Sequence, residues 1–294
     1  MSAELNLDLT VPPGHGAMPG VSPDVYREAD FKAVAQIVRN EAGIMLQPGK
    51  ATLVYSRLAP LVRASGLVTF SAFIEMIRDH AEERRKAVCA LTTNHTFFYR
   101  EAHHFEHFTQ QVRPHLIEAL DQHEAVRMWS AGSSSGEEVF SLTMALLGSN
   151  REEGKRIASR DIRILASDIA DHALLKASQG RYEMRDTSGL PQTLRDMWTT
   201  TSDGHLDIGA EARALVQFKR LNLQGDWPMR RPFQVIFCRN VMIYFDQPTK
   251  ERLVERLARQ LVPGGFLYIG HSERVSGPGE ALLDPVGPTI YQRR

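Results

Sequence analysis

The sequence predicts an α/β fold: a doubly wound, mostly parallel sheet, preceded by a small all-α domain. Three observations carry this expectation. Residues 24–93 place their apolar side chains at helical spacing. After Asn94, short unbroken apolar runs such as Phe233–Cys238 (FQVIFC) alternate with amphipathic helical segments, as strands buried on both faces require. The length of 294 residues suits two domains, with ample material for a core.

Residues 1–23 carry Pro12, Pro13, Gly14, Gly16, Pro19, Gly20 and Pro23 with few large apolar side chains, and read as a flexible leader. Asp30 is the expected N-cap of a first helix. Phe31, Val34, Ile37 and Val38 form its apolar face, and Gly43 suits its C-terminal cap. A second helix is expected from Lys50 to Ser65, stopped by Gly66. Thr69 caps a third, with Phe70, Phe73, Ile74 and Ile77 on one face, and Glu82–Leu91 forms a fourth. The helical domain is therefore set at 24–93 and the α/β domain at 94–294.

In the second domain Arg127–Ala131 reads as a strand, Gly132–Gly136 as a small-residue turn and Glu137–Leu147 as a helix. Arg163–Ala166 begins a strand that ends at Asp168. Phe233–Cys238 is a buried strand, Pro248–Leu261 an amphipathic helix, Pro263–Gly265 a turn and Phe266–Ile269 a strand. The segment from about 182 to 217 is polar and irregular and reads as an insertion on the sheet.

Composition narrows the function. Hydrophobic residues make up 43% and charged residues 24%, which is ordinary for a globular protein and excludes a chain disordered along its length, a collagen or a polytopic membrane protein. Thirty-five basic and thirty-five acidic residues cancel, so no global field steers the molecule to nucleic acid or an anionic membrane. Cys89 and Cys238 are too few for a disulfide framework and sit among apolar neighbours, which fits a reducing, cytoplasmic setting. No apolar run approaches the ~20 residues of a membrane span, and the N-terminal residues lack the features of an export signal.

Several motifs sit where chemistry is done in such sheets. AGSSSGEE (131–138) places small residues between a strand and a helix, where backbone N–H groups can approach a ligand, although the spacing is not that of dinucleotide binders. Glu137 and Glu138 in the first helical turn also stabilise the macrodipole whatever else they do. Asp168 closes the second strand, within reach of a ribose diol; together these two features fit a nucleoside-containing cofactor. His95, His103, His104 and His107, with Glu101 and Glu106, raise a zinc reading, since His103 and His107 are four apart on a helix, but the Glu that would follow the first His of a zincin helix is missing. Asn94–Arg100 (NHTFFYR) frames an Arg with aromatic rings, a ready carboxylate clamp or simply core. In CRNVMIYF (238–245), Arg239 and Asn240 fall at the sheet's carboxyl edge with Tyr244 just beyond, and a charged residue ending an apolar strand needs a partner.

Taken together, LTTNHTFFYRE (91–101), MWSAGSSSGEEVFSLTMAL (128–146), ILASDI (164–169), VIFCRNVMIYF (235–245) and LVPGGFLYIGHSE (261–273) resemble, in order, the bacterial chemotaxis receptor methyltransferases. These are S-adenosylmethionine-dependent protein-glutamate O-methyltransferases of chemotactic signal transduction. The resemblance runs from about Asp24 to Tyr291. It implies a Rossmann-like methyltransferase sheet with a small β-rich insertion, and S-adenosylmethionine as cofactor with S-adenosylhomocysteine as product. It also implies cofactor contacts at Asn94, Thr96, Arg100, Glu137, Asp168, Asn222, Leu223, Arg239 and Asn240. Arg100 and Tyr244 match the pair that flanks the transferred methyl.

The expected partners are the cytoplasmic helical bundles of methyl-accepting chemoreceptors. They would meet the second helix through Lys50, Arg57 and Arg63, since residues 42–74 carry these three cations and no Asp or Glu. The family's G-E-E-P is here G-E-E-V, and the second helix is less arginine-rich than is typical. The insertion around WTTTSDGHLDIG looks short beside members that bind a receptor's C-terminal tether, so no tether is expected. Two rivals remain at this point. A transferase acting on RNA or a small molecule is disfavoured, for RNA, by the neutral charge and the lack of a basic stripe. A silent cofactor-binding sensor is disfavoured by the intact Arg100 and Tyr244.

Overall fold

A computed structural model describes Ser22 and residues 24–294; the leader expected over 1–23 lies, Ser22 aside, outside the described residues. The chain divides into two compact units: one takes the residues up to Glu41 together with Met45–Leu91, the other Ala42–Ile44 and Thr92–Arg294.

The first unit is helical. Its helices are Glu28–Ala42, Ala51–Ala64, Phe70–Asp79 and Ala81–Leu91. Val34, Val38, Val54, Leu58, Val62, Phe70, Phe73, Ile74 and Ile77 form its interior. Thr69 caps the third helix as its sequence requires, accepting from the Ala72 N–H at 3.3 Å. Asp30 is not the N-cap but lies one turn inside. Its carboxylate reaches back to the Arg27 N–H at 2.8 Å and accepts from Ser71 Oγ at 2.8 Å. An acid at this position satisfies an orphan N–H of the first turn as well as a cap does.

The second unit contains the strands β1 (Val126–Ala131), β2 (Ile162–Asp168), β3 (Arg181–Glu183), β4 (Thr199–Ser202), β5 (His205–Ile208), β6 (Val216–Arg220), β7 (Phe233–Cys238), β8 (Leu261–Ile269), β9 (Leu283–Gly287) and β10 (Ile290–Arg293). Among the described residues, seven form one sheet in the order β6-β2-β1-β7-β8-β10-β9. The pairs from β6 to β8 are parallel, and β10 runs antiparallel to β8 and β9. The chain moves outward from β1 to β2 and β6, then returns to the other side of β1 with β7. That reversal is the topological switch point at which open α/β sheets bind ligands.

Both faces of the sheet are covered, which is why its strands are apolar without interruption. Met128, Val235, Phe237 and Tyr268 point into a core with the helix Glu137–Leu147 and Trp198. The alternate residues Trp129, Ile236, Cys238, Leu267 and Ile269 pack with Leu253, Val254 and Leu257 of the helix Gln247–Gln260.

The expected small β-rich insertion is present, and two other details depart from the sequence reading. The polar segment after Tyr182 holds a three-stranded antiparallel sheet, β3-β5-β4, whose hairpin closes through Asp203 and Gly204, both at positive φ. This is the two-residue turn that matches strand twist. The segment also ends earlier than its composition implies, because Val216–Arg220 pairs with β2 as the sheet's edge strand. Pro263–Gly265 is not a separating turn. Phe233 pairs with Leu261 and Val235 with Phe266, so these residues loop out of a strand that has already begun.

Candidate active site

The carboxyl ends of β1, β2, β6 and β7 open on the same edge of the sheet, and most of the residues singled out from sequence are found there. After β1, Gly132 (φ 82), Ser134 (φ 49) and Gly136 (φ 97) turn the chain tightly into the helix that begins at Glu137. A Cβ at Gly132 would run into the Val241 side chain, and one at Gly136 would meet the Tyr182 hydroxyl at 2.7 Å, so glycine is required for space as well as for φ. The Tyr182 hydroxyl donates to the Ser135 carbonyl at 2.8 Å, which fastens the inserted segment to this loop.

Asp168, the last residue of β2, is buried. Its Oδ2 accepts from the Ser134 N–H at 2.8 Å and its Oδ1 from the Ala170 N–H at 2.9 Å. Burial pushes its carboxyl up while those N–H donors pull against the shift. Glu137 is equally enclosed: Oε2 accepts from Ser135 Oγ at 2.7 Å, and Lys176 Nζ stands 3.8 Å from Oε1. Burial raises its carboxyl too, with Ser135 and Lys176 opposing. A carboxylate has about four acceptor sites. Both acids therefore keep capacity for a ligand's hydroxyl or ammonium groups. On the same turn, the buried Ser133 Oγ has no hydrogen-bond partner among the described residues. A turn built for close backbone approach, an orphaned hydroxyl and two acids with free lone pairs fit a cofactor carrying a ribose diol and an amino acid end.

β6 is followed by Asn222, whose Oδ1 accepts from the Gln224 N–H at 3.0 Å, and by the largely buried Leu223. The Leu221 N–H donates to the Asp168 carbonyl at 2.9 Å and ties this loop to β2. Asn94 joins the same edge through its carbonyl, which accepts from Ser134 Oγ at 2.8 Å. Thr96 is half-buried two residues on.

Arg100 donates from Nη1 to the His95 carbonyl at 3.1 Å, its guanidinium lies 5.7 Å from the Phe97 ring centre, and its side chain is 22% exposed. Tyr244 ends a short helical turn, Met242–Tyr244, and is half-buried. Arg239 is different. Its side chain is 1% exposed and bridges Glu138 at 3.2 Å and Glu101 at 3.3 Å, with Nη2 also donating to the Arg100 carbonyl. Neither guanidinium arm is left for a ligand.

The sequence reading missed the residues that shape this edge. Glu273 accepts the N–H groups of Gly270, Asn240, Met242 and Ile243 and so sets the loop carrying Asn240 and Tyr244. The signal was an acid just beyond an apolar strand. Glu101 faces Arg239, His271 and His104. Burial opposes its ionisation, yet Arg239 and the hydrogen bond with His271 hold its carboxyl at about 2. Burial and then Arg239 hold the wholly enclosed His104 at about 3. Of the histidines that raised the zinc reading, three each engage one ring nitrogen elsewhere: His103 Nε2 with the Pro288 carbonyl, His104 Nε2 with Thr289 Oγ1 and His107 Nδ1 with the Tyr268 hydroxyl, while His104 Nδ1 has no hydrogen-bond partner among the described residues.

In the first unit Lys50 and Arg63 are exposed, whereas Arg57 is half-buried and donates to the Leu91 carbonyl at 3.1 Å. Among the described residues no helix is long and apolar enough to cross a membrane.

Comparison with known proteins agrees with this geometry. The family description "CheR methyltransferase, SAM binding domain" matches residues 94–286, and "CheR methyltransferase, all-alpha domain" matches 29–92. A probable chemotaxis protein methyltransferase of Rhizobium etli is 38% identical over 262 residues, covering 87% of this chain and 96% of the relative. Chemotaxis protein methyltransferase 2 of Pseudomonas aeruginosa is 36% identical over 273 residues, 90% and 93% of the two chains. The chemotaxis protein methyltransferase of Escherichia coli is 35% identical over 271 residues, 90% of each. With the switch-point topology and the family match in agreement, the chain belongs to the CheR methyltransferases and carries their S-adenosylmethionine-binding domain.

Proposed function

We propose that the protein transfers a methyl group from S-adenosylmethionine to glutamate side chains of chemoreceptor cytoplasmic helices, giving neutral methyl esters for adaptation. The observation that carries this reading is the semi-exposed Arg100 guanidinium on the segment that Asn94 ties, through Ser134, to the Asp168 loop. A cation there suits an anionic acceptor.

Bound at this edge, the cofactor supplies an electrophilic sulfonium methyl. The chain's own residues do the rest. Asp168 accepts from ribose hydroxyls, and Glu137, Asn94 and Thr96 offer further polar contacts. Asn222 and Leu223 line the same edge, while Arg239 and Asn240 contribute through the main chain, since Arg239's side chain is engaged internally. An acceptor carboxylate with pKa near ~4.3 is already ionised at neutral pH, so no general base is needed. Orientation and exclusion of water are what the site must provide. Arg100 guides the carboxylate and Tyr244 donates a hydrogen bond beside it. Arg100 holds its substrate loosely, because the ester product carries no charge and a tight ground-state pair would be lost during transfer.

Lys50 and Arg63, with Arg57 contributing less, offer an acidic receptor helix a complementary face. No C-terminal receptor tether is used in this reading, which is supported by the two-residue closure of the β4–β5 hairpin. The test is transfer of labelled methyl to chemoreceptor-containing membranes, scored as base-labile methanol. Release from wild type is expected, and absence of transfer across a panel of receptors would sink the assignment. Binding of a receptor C-terminal peptide to residues 181–208 would overturn the tether statement alone.

A further inference from the structure

We propose that Glu101 is a positioning residue that, through Arg239, fixes the main chain of Arg100 and so aims its guanidinium. The inference rests on the role given to Arg100 above. Arg100 is flanked by two non-glycine residues in the left-handed region, Tyr99 at φ 55 and Glu101 at φ 59. Neither side chain favours that region, so the bend persists only where its surroundings hold it. On one side, the Tyr99 N–H donates to Ser141 Oγ at 3.0 Å. On the other, the Glu101 carboxylate stands 3.3 Å from Arg239 Nη2, 3.0 Å from His271 Nδ1, 3.4 Å from Asn240 Nδ2 and, more loosely, 4.0 Å from Arg100 Nε itself.

Arg239 completes the clamp. The same Nη2 that faces Glu101 donates to the Arg100 carbonyl, and the guanidinium lies 5.6 Å from the Phe105 ring centre and 5.9 Å from that of Phe237. Its other arm reaches Glu138, which accepts from Ser130 Oγ of β1 at 2.7 Å. Arg100's peptide is thus referenced to β1 and β7, the two strands that border the switch point. Glu101's charge holds Arg239 in the orientation that meets that peptide, while Glu101 itself does not touch substrate in this scheme.

The test uses the full chain carrying Glu101→Gln, which keeps shape and removes charge. Expected are a fall of tenfold or more in kcat on receptor membranes, S-adenosylhomocysteine affinity within twofold of wild type, and amide hydrogen exchange at least fivefold faster across 97–101. Glu101→Asp, the milder variant should Glu101→Gln not fold, retains part of the rate. In an Arg100→Ala background, Glu101→Gln costs no further activity. Unchanged exchange at 97–101, or an equal loss of rate with and without Arg100, would overturn the proposal. The exchange measurement needs no acceptor, so a wild type that methylates no receptor counts against the proposed substrate while exchange still decides this inference.

Discussion

Two pairs of largely buried carboxylates stand at the same edge of the sheet in opposite surroundings. Glu137 and Asp168 meet mainly neutral donors, a serine hydroxyl and backbone N–H groups, with one distant lysine. Glu101 and Glu138 close on a single buried guanidinium. The first pair retains lone pairs for a ligand, whereas the second is committed within the protein. Burial and charge alone do not distinguish a binding acid from a structural one; the partner does.

Removing the shared cation breaks this contrast most severely. Arg239→Ala removes the guanidinium that two largely buried carboxylates share, leaving Glu138 with Ser130 Oγ and Glu101 with His271 and Asn240, and is expected to cost about 3–5 kcal/mol in urea unfolding. A loss below about 1 kcal/mol would mean that water replaces the guanidinium and that the second pair is no more committed than the first. Arg100→Ala acts on chemistry instead: turnover should fall by about a hundredfold or more, in the range of a lost charge-stabilising donor, with cofactor affinity nearly intact. The reverse pattern would make Arg100 chiefly a cofactor ligand. Asp168→Ala sharpens the other side of the comparison. Calorimetry should show S-adenosylhomocysteine binding weakened by roughly 10- to 100-fold, as expected of about 1.5–3 kcal/mol for hydrogen bonds to a charged acceptor. Binding equal to wild type would remove Asp168 from the site.

The last test reads a pH slope rather than a single loss. His104 is held at about 3, below its ordinary value of 6.5, so between those values the unfolded chain binds a proton that the folded chain refuses. Stability therefore falls as pH drops through this window, by up to about 1.4 kcal/mol per unit. Glu101, at about 2 against an ordinary 4.5, adds a loss of the same sign below about pH 4.5. His104→Gln should flatten the dependence of urea midpoints between pH 6.5 and 4.5; an unchanged slope would reject the assignment to His104.

Where period and punctuation acted locally, the sequence was readable. Thr69 capped its helix, Phe233–Cys238 was found at its observed ends, and Glu137–Leu147 likewise. The weak points were segments whose structure depends on a distant partner. Val216–Arg220 is too polar to announce a strand and becomes one by pairing with β2. Leu261 and Val262 join β8 although Pro263 and Gly264 signal a turn, because β7 offers its free edge.

The same division runs through the site. Order along the chain brought forward Asp168, the 132–136 turn and Arg239, because a strand end and a glycine-rich bend are local features. It did not reveal that Arg239 is enclosed between two acids, that Glu273 gathers three N–H groups of the Tyr244 loop together with that of Gly270, or that Arg100 sits between two left-handed residues. The sequence by itself determined the types of the elements whose pattern is local, the doubly wound class of sheet and the chemistry available, since propensity, periodicity and side-chain type act over a few residues. Tertiary structure alone decided which carboxylates face a ligand and which hold the scaffold, because that depends on desolvation and on partners more than a hundred residues away.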